Sequence, residues 1–414
     1  AEAKDAKRLY KYIRTKLSGP VATPQLKNPS GEILDNNEHV ADMFATTFSS
    51  VFTVEPPGHL PKVSGPPNPI SFGEIIFTPN LVCEKLKQLK VSKSPGPDLI
   101  TAKILHMCAD TLCEALSILM TKSFNSGILP PDWRTGIVRP IFKKGDKFDS
   151  NNYRPISLTS VVIKVMESIM YDQLIQFLMN HRQIPKKQHG FLPGRSIQSN
   201  LLSCLSQWTS EIERGNTLDA IYLDFSKAFD RVPKRRLLHK LRHVGVSGLL
   251  LKWLEAYLSD RTFRVKVGDS LSRSVEVLSG VPQGSVLGPL LFIVYTADLG
   301  NIITSPFAMY ADDIKLFNKS SNSLLLQEDL FTIRNWSGDW LLPLNNDKCN
   351  VLHIGKNNPK HRYNLDGKQL TQLSCCRDLG IIIDSGLTWS HHVACIVKKG
   401  SLVALFVTEN FLQD

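Results

Sequence analysis

Two apolar runs that carry carboxylates at strand ends restrict the fold of this chain more than any other feature. Asp219-Ala-Ile-Tyr-Leu-Asp224-Phe225 reads as a strand closed by an acid. Phe307-Ala-Met-Tyr310-Ala311-Asp312-Asp313-Ile314-Lys315-Leu316-Phe317 reads as strand, tight turn, strand, with two acids in the turn. Asp tolerates the backbone angles of such turns, so a turn by itself accounts for the pair. Three carboxylates brought together need more, because like charges at neighbouring strand ends repel unless a cation lies between them. Mg²⁺ is hard and prefers oxygen, commonly one or two carboxylates plus substrate phosphates. Two such ions about 3.5–4 Å apart activate a hydroxyl and relieve the charge on a leaving pyrophosphate. An acid at one strand end, facing an acid pair on a neighbouring hairpin, is the geometry that chemistry requires.

The rest of the pattern is consistent with a sheet built from distant strands. Leu112, Ala115, Leu116, Leu119, Met120 and Phe124 follow helical spacing, as do Val162, Val165, Met166, Ile169 and Met170 in a segment reaching Met179. Arg235–His243 and Leu249–Leu258 read as two helices around the turn at Gly245–Gly248. Strands are predicted at Ile137–Phe142, Ala220–Phe225, Phe263–Val267 and Ser274–Leu278, with two more flanking Ala311–Asp313. The alternation is irregular, unlike the steady rhythm of a barrel or a dinucleotide fold, so the class is α+β. Residues 1–52 mix helical pattern with turns. The segment 53–70 holds Pro56, Pro57, Pro61, Pro66, Pro67 and Pro69, which makes it a linker or an extended strap and a candidate boundary.

Charge and cysteines narrow the partners. The net charge of +11 favours a polyanion, and the basic residues are scattered, with short clusters at Lys143–Lys147 and Lys234–Arg236. That distribution predicts a groove assembled in three dimensions instead of a basic tail. None of the eight cysteines forms a C-x-x-C pair. The cluster Cys375, Cys376, His391, His392 and Cys395 fits no common zinc spacing and is taken as chance. Few, scattered cysteines point to a reducing compartment. The longest apolar stretch, Val286 to Ala297, is too short to span a bilayer.

Further motifs occur in order along the chain: Lys93-Ser-Pro-Gly-Pro-Asp98, Pro131-Asp-Trp133-Arg, Pro140-Ile-Phe-Lys143-Lys-Gly-Asp146, Asn152-Tyr-Arg154-Pro-Ile-Ser157, Gln188-His-Gly-Phe191 and Gly194-Arg-Ser196. Then come Leu223-Asp224-Phe-Ser-Lys-Ala-Phe229-Asp230, Gly280-Val-Pro-Gln283-Gly-Ser285, Tyr310-Ala-Asp312-Asp313, Leu344-Asn345 with Lys348-Cys349, and Leu379-Gly380. With this set the chain resembles reverse transcriptases of non-LTR retrotransposons, the jockey-like and related LINE elements, from about Val91 to Ile383.

The resemblance implies a right-hand polymerase, with fingers and an antiparallel palm sheet flanked by helices over 91–383. It also implies RNA-directed DNA polymerisation from an RNA template, a DNA primer and dNTPs, with Mg²⁺ or Mn²⁺. By position, Asp224 and Asp312 become metal ligands, Asp313 the second acid of the pair, and the Phe225 carbonyl completes the shell. Lys143 and Arg154 become the clamp on the triphosphate, where a guanidinium grips with two bonds and an ammonium acts as a point charge. Phe229 falls where the family places a bulky residue under the incoming sugar. Gln283 and Gly284 fall against the nascent base pair and template, and the exposed amides of their loop, which leads into a helix, favour anions. Lys348 matches the lysine that approaches the leaving pyrophosphate. Tyr310, Leu379 and Gly380 are the remaining template and primer contacts. Trp336 and Trp340, four apart, read as packing.

Where the family pattern has an upstream endonuclease and a full thumb, this chain has residues 1–90 before the first strong motif and 34 residues after Gly380. It begins with Ala. The expectation is therefore a truncated copy, with 384–414 as the start of a thumb and His391–Phe406 as its first helix. The rival expectation is an inactive RNA-binding remnant or domesticated protein on the same fold.

Overall fold

The computed structural model of the protein describes residues 23–28 and 30–411, the side chains of 399 and 402–411 excepted. Helix α1 (Asn37–Ser49) starts where the Asn36 side chain accepts a hydrogen bond from Glu38 N at 2.7 Å, a conventional N-cap. It lays Val40, Phe44 and Phe48 against Val138, Tyr153, Phe263 and Val265. The proline-rich stretch contains neither helix nor strand and runs as a strap. Its anchors are side chains and one backbone bond, Asn68 N to His243 O at 2.9 Å. Glu55 pairs with Arg236 at 2.7 Å and accepts from Arg235 N at 2.9 Å. Asn68 Nδ2 donates to Val244 O at 3.1 Å.

The helices that follow include α2 (Ala109–Ser126), α3 (Val161–Asn180), α4 (Ile197–Glu213), α5 (Lys234–His243), α6 (Gly248–Leu258), α7 (Leu287–Thr296), α8 (Ser323–Asp339) and α9 (Ser390–Phe411), of which α4 was not expected from the sequence. Gly127, at φ 71°, ends α2 in the left-handed conformation that glycine adopts without penalty. Helices α3 and α7 are buried around most of their circumference, which explains why their apolar patterns are nearly continuous. Among the described residues no helix is long and apolar enough to cross a membrane.

The strands are β1 (Thr135–Phe142), β2 (Tyr153–Leu158), β3 (Leu218–Leu223), β4 (Thr262–Val267), β5 (Ser270–Leu271), β6 (Val275–Glu276), β7 (Phe307–Tyr310), β8 (Asp313–Lys319), β9 (Asn350–Ile354), β10 (Asn364–Leu365), β11 (Lys368–Gln369), β12 (Thr371–Leu373), β13 (Cys375–Asp378) and β14 (Ile381–Asp384). One sheet runs β2-β1-β4-β5, with β6 added on β4. The strand expected over Ser274–Leu278 shrinks to two residues, because Ser279 turns inward and donates to Asp230 O at 2.7 Å. The second sheet runs β12-β9-β3-β8-β7, antiparallel except for the β12–β9 pair. Ile221, Leu223, Ile314, Leu316 and Val351 of that sheet face the main core under α3, α6 and α7. On the other face Ala220, Phe317 and Leu352 meet Leu201, Cys204 and Trp208 of α4, with Cys376 and Ile383 of the separate β13–β14 hairpin. The fold is thus a mixture of sheets and helices in which the two acid-bearing segments are neighbouring strands of one sheet.

Candidate active site

Register brings the acids together. Leu223 pairs with Ile314 across β3 and β8, so Asp224 and Asp313 are the next facing positions, on the α4 side of the sheet. Asp312 lies in the two-residue turn between Tyr310 and Asp313. Ala311, the first residue of that turn, has φ 56°, a left-handed angle that L-residues with a Cβ adopt at a cost. The chain holds it there with Gln188, which is 1% exposed. Gln188 Oε1 accepts from Ala311 N at 2.9 Å and from Gly190 N at 2.8 Å, while its Nε2 donates to Ala311 O at 3.3 Å. A Cβ on Gly190 would collide with Ala311 N, so only glycine lets this loop lie against the turn.

The Phe225 carbonyl joins the same group. The Phe225–Leu344 bridge is closed by Asn345 N to Asp224 O at 2.7 Å and Ser226 N to Pro343 O at 2.8 Å. Successive strand residues turn their carbonyls to opposite sides, so Phe225 directs its own away from Leu344 and toward the acid hairpin. The oxygens available to a hard cation are therefore those of Asp224, Asp312, Asp313 and the Phe225 carbonyl. Among the described residues no three acidic, imidazole or thiol side chains close into a metal-holding group. Lys348 Nζ lies 2.7 Å from Asp224 Oδ2 and occupies one of its oxygens.

The electrostatics show what this cluster lacks. Burial, then the charges of Asp312, Asp224 and Asp378, push the Asp313 carboxyl up to about 6, with Lys315 opposing. Asp312 is raised by burial and by Asp224, against Arg154 and Lys143. The ammonium of Lys143 is held below its ordinary value by desolvation first, then by Arg154, Lys348 and Lys144, with Asp224 opposing. Lys143 and Arg154, exposed at the ends of the β1–β2 hairpin, thus share one field with Asp224 and Asp312. The cluster holds surplus negative charge that a cation would relieve, beside surplus positive charge that an anion would relieve.

The remaining candidates frame it. The Phe229 ring stacks on Phe292 at 4.6 Å and meets Phe191 edge-on at 6.3 Å; Phe191 lies 6.5 Å from Tyr310. Gln283 Nε2 donates to Asp230 Oδ1 at 2.7 Å, and Gly284, at φ 102°, approaches the Ser157 carbonyl too closely for a Cβ. Leu379 lines the cavity that also holds Asp224, Asp313 and Lys348, and Gly380 is exposed beside it. Trp336 and Trp340 are buried against each other and over the Lys240 ammonium, and Trp336 also packs on the Phe225 ring at 6.2 Å.

The sequence pattern described as "Reverse transcriptase (RNA-dependent DNA polymerase)" matches residues 141–383, more than half of the chain. The chain belongs to the reverse transcriptase family. It is similar to the RNA-directed DNA polymerase from mobile element jockey of Drosophila melanogaster, 27% identical over 418 residues, covering 96% of this chain and 45% of that protein. It is also similar to the probable RNA-directed DNA polymerase from transposon BS of the same organism, 29% identical over 430 residues, covering 94% of this chain and 46% of that protein. The probable RNA-directed DNA polymerase from transposon X-element is 26% identical over 332 residues, covering 77% and 36%. The chain spans about half the length of the curated relatives that match most of it.

Two positions matter in this fold that the sequence did not single out. Gln188 was visible only as part of a motif, with nothing to connect it to a turn 123 residues away. Glu167 corrects the expectation for the Gly280–Ser285 loop. Its carboxylate, 1% exposed, accepts from Val286 N at 2.5 Å and Leu287 N at 3.2 Å. The helix start expected to attract an external anion is therefore already satisfied by an internal one. The signal was a lone acid among Val165, Met166, Ile169 and Met170.

Proposed function

We propose that this chain is the polymerising core of a non-LTR retrotransposon reverse transcriptase and adds dNTPs to a DNA 3′ end on an RNA template. The observation that carries the reading is the facing pair Asp224 and Asp313, joined by Asp312 and opposed by Lys143 and Arg154. In hand-shaped terms the β3-β8-β7 sheet is the palm, the β1–β2 hairpin belongs to the fingers, and α9 begins a thumb. Reverse transcriptases use divalent cations, and hard oxygens with unrelieved negative charge suit Mg²⁺ or Mn²⁺. Bound there, two such ions would activate the 3′-hydroxyl and screen the leaving pyrophosphate.

The chain's own residues do the rest. Lys143 and Arg154 receive the triphosphate and orient it toward the acids. Phe229, backed by Phe292, fills the space a 2′-hydroxyl would need and selects deoxynucleotides. Gln283, held by Asp230, and Gly284 meet the nascent pair and template, with Tyr310; Leu379 and Gly380 meet the primer. Lys348 stands at Asp224 and donates a proton toward the departing pyrophosphate. A second reading, RNA binding without catalysis, is favoured by the Lys348–Asp224 pair, in which an ammonium takes the place a cation would need.

Primer extension decides between them. The wild type is expected to extend with Mg²⁺ or Mn²⁺, and Asp312→Asn and Asp313→Asn to lose extension by at least about 100-fold, the scale on which transition-state charge stabilisation acts. Equal extension by wild type and variants removes the catalytic claim. Salt-sensitive RNA binding without extension at any metal concentration selects the second reading.

A further inference from the structure

Lys315 follows Asp313 by two positions on the same face of β8 and is 3% exposed. Its ammonium is ion-paired with Asp378 Oδ2, on a residue 4% exposed. Asp378 ends β13, directly before the Leu379–Gly380 turn. That turn has φ 47° and 95°, the pattern of a tight primed hairpin turn, here with leucine where glycine or asparagine is usual. The β13–β14 hairpin shares no strand pairing with the five-stranded sheet. Among the described residues, Lys315–Asp378 is the sole ion pair between them. A cavity of about 320 Å³ lies between part of the hairpin and the sheet, with Asp224, Asp313, Lys348 and Arg377 on its walls beside the pair.

Such a pair is a poor way to gain stability. Apolar residues of similar volume often hold a buried site at least as well as an ion pair, because both ions must leave water. Apolar contacts can slide, however, and an ammonium–carboxylate contact fixes a separation. Without it the hairpin is held by the apolar contacts of Cys376, Leu379, Ile381 and Ile383, and at the end opposite its turn by Ser374, which joins it to β12, and by Gly355 N donating to Ser385 O at 3.0 Å.

We propose that Lys315 and Asp378 are positioning residues: their contact sets the distance between the Leu379–Gly380 turn and the acids, and with it where a primer end lies. The second half of that statement rests on the polymerase reading; the first half does not. Reacting groups must approach within about 3–3.5 Å, and a misplacement near 1 Å costs about 100-fold in rate. The pair therefore acts on kcat, through the primer, and not on dNTP recognition by Lys143 and Arg154.

The test compares the wild type, Lys315→Met, and the double variant Lys315→Met/Asp378→Leu. The double variant leaves no buried charge unpaired, so it keeps the question open if the single variant misfolds. Three measurements are made on the full chain: hydrogen exchange, primer extension and thermal melting. In amide hydrogen exchange, 375–384 is expected to exchange at least about 10-fold faster in the double variant, with β3 and β8 unchanged. In primer extension, kcat is expected to fall about 10- to 100-fold, with the KM for dNTP within about two-fold and the melting temperature near that of the wild type. Exchange indistinguishable from wild type overturns the tether, whatever the activity. Faster exchange with wild-type kcat overturns its role in placing the primer. Faster exchange in a chain whose wild type extends nothing upholds the tether and removes the polymerase reading instead.

Discussion

Replacing Gln188 by Ala removes three hydrogen bonds, two of them to the acid turn: Oε1 accepts from Ala311 N and Gly190 N, and Nε2 donates to Ala311 O. A net worth of about 1 kcal/mol each gives a loss of about 3 kcal/mol, more if the freed amides stay dry. That is a large part of the roughly 5–15 kcal/mol that holds a domain together, yet not enough by itself to unfold one. The effect on catalysis is expected to exceed the effect on stability. Ala311 at φ 56° stores on the order of 1–3 kcal/mol of backbone strain, and Gln188 is what holds it. Once released, the turn relaxes and carries Asp312 and Asp313 out of line with Asp224. The expected result is a urea-unfolding loss of about 3 kcal/mol, together with a fall of about 100-fold or more in single-turnover primer extension. Gln188→Glu separates the parts. It keeps both acceptors but sets a carboxylate against the Ala311 carbonyl, so it should disturb the turn while the fold holds. Extension by Gln188→Ala within two-fold of wild type, at the expected stability loss, would refute the clamp.

Two further outcomes follow from the frame of the site. Burial pushes the Asp230 carboxyl up to about 6 from its ordinary 3.8, with the Gln283 hydrogen bond opposing. The folded chain therefore keeps a proton that the unfolded chain has already released, so this group's contribution to stability falls as pH rises from about 4 to about 6 and is level above. Asp230→Asn is neutral throughout, so its urea-unfolding free energy relative to wild type should rise by on the order of 2 kcal/mol across that window; a flat difference contradicts the assignment. Phe229→Ala removes the ring stacked on Phe292 and should lower dNTP-over-rNTP discrimination in kcat/KM by at least about 10-fold, and unchanged sugar choice would show that the ring is only packing.

What was legible in the sequence was whatever repeats locally or sits at a punctuation mark. The helix over Val161–Asn180 announces itself through apolar spacing, and the acid hairpin through two apolar runs around Ala311-Asp312. Even the proximity of Asp224 to Asp313 was inferable, because family motifs carry register implicitly. What was not legible shares one physical trait: each is a polar contact between segments far apart in sequence, whose partners look ordinary alone. Glu167 reads as a blemish in an apolar helix until α7 places two unsatisfied amides against it. Gln188 reads as a loop amide until Ala311 needs holding, and Lys315 as a surface lysine until Asp378 arrives from another hairpin. Periodicity reports where a side chain points relative to its own backbone. It says nothing of what will stand opposite. The strap between Glu55 and Asn68 makes the same point, since proline density predicts the absence of helix and strand but not the Arg235 and Arg236 that fasten it. The contacts that hold this site in shape are therefore the ones a motif reading passes over. A substitution among them should damage activity while every recognised acid remains in the sequence.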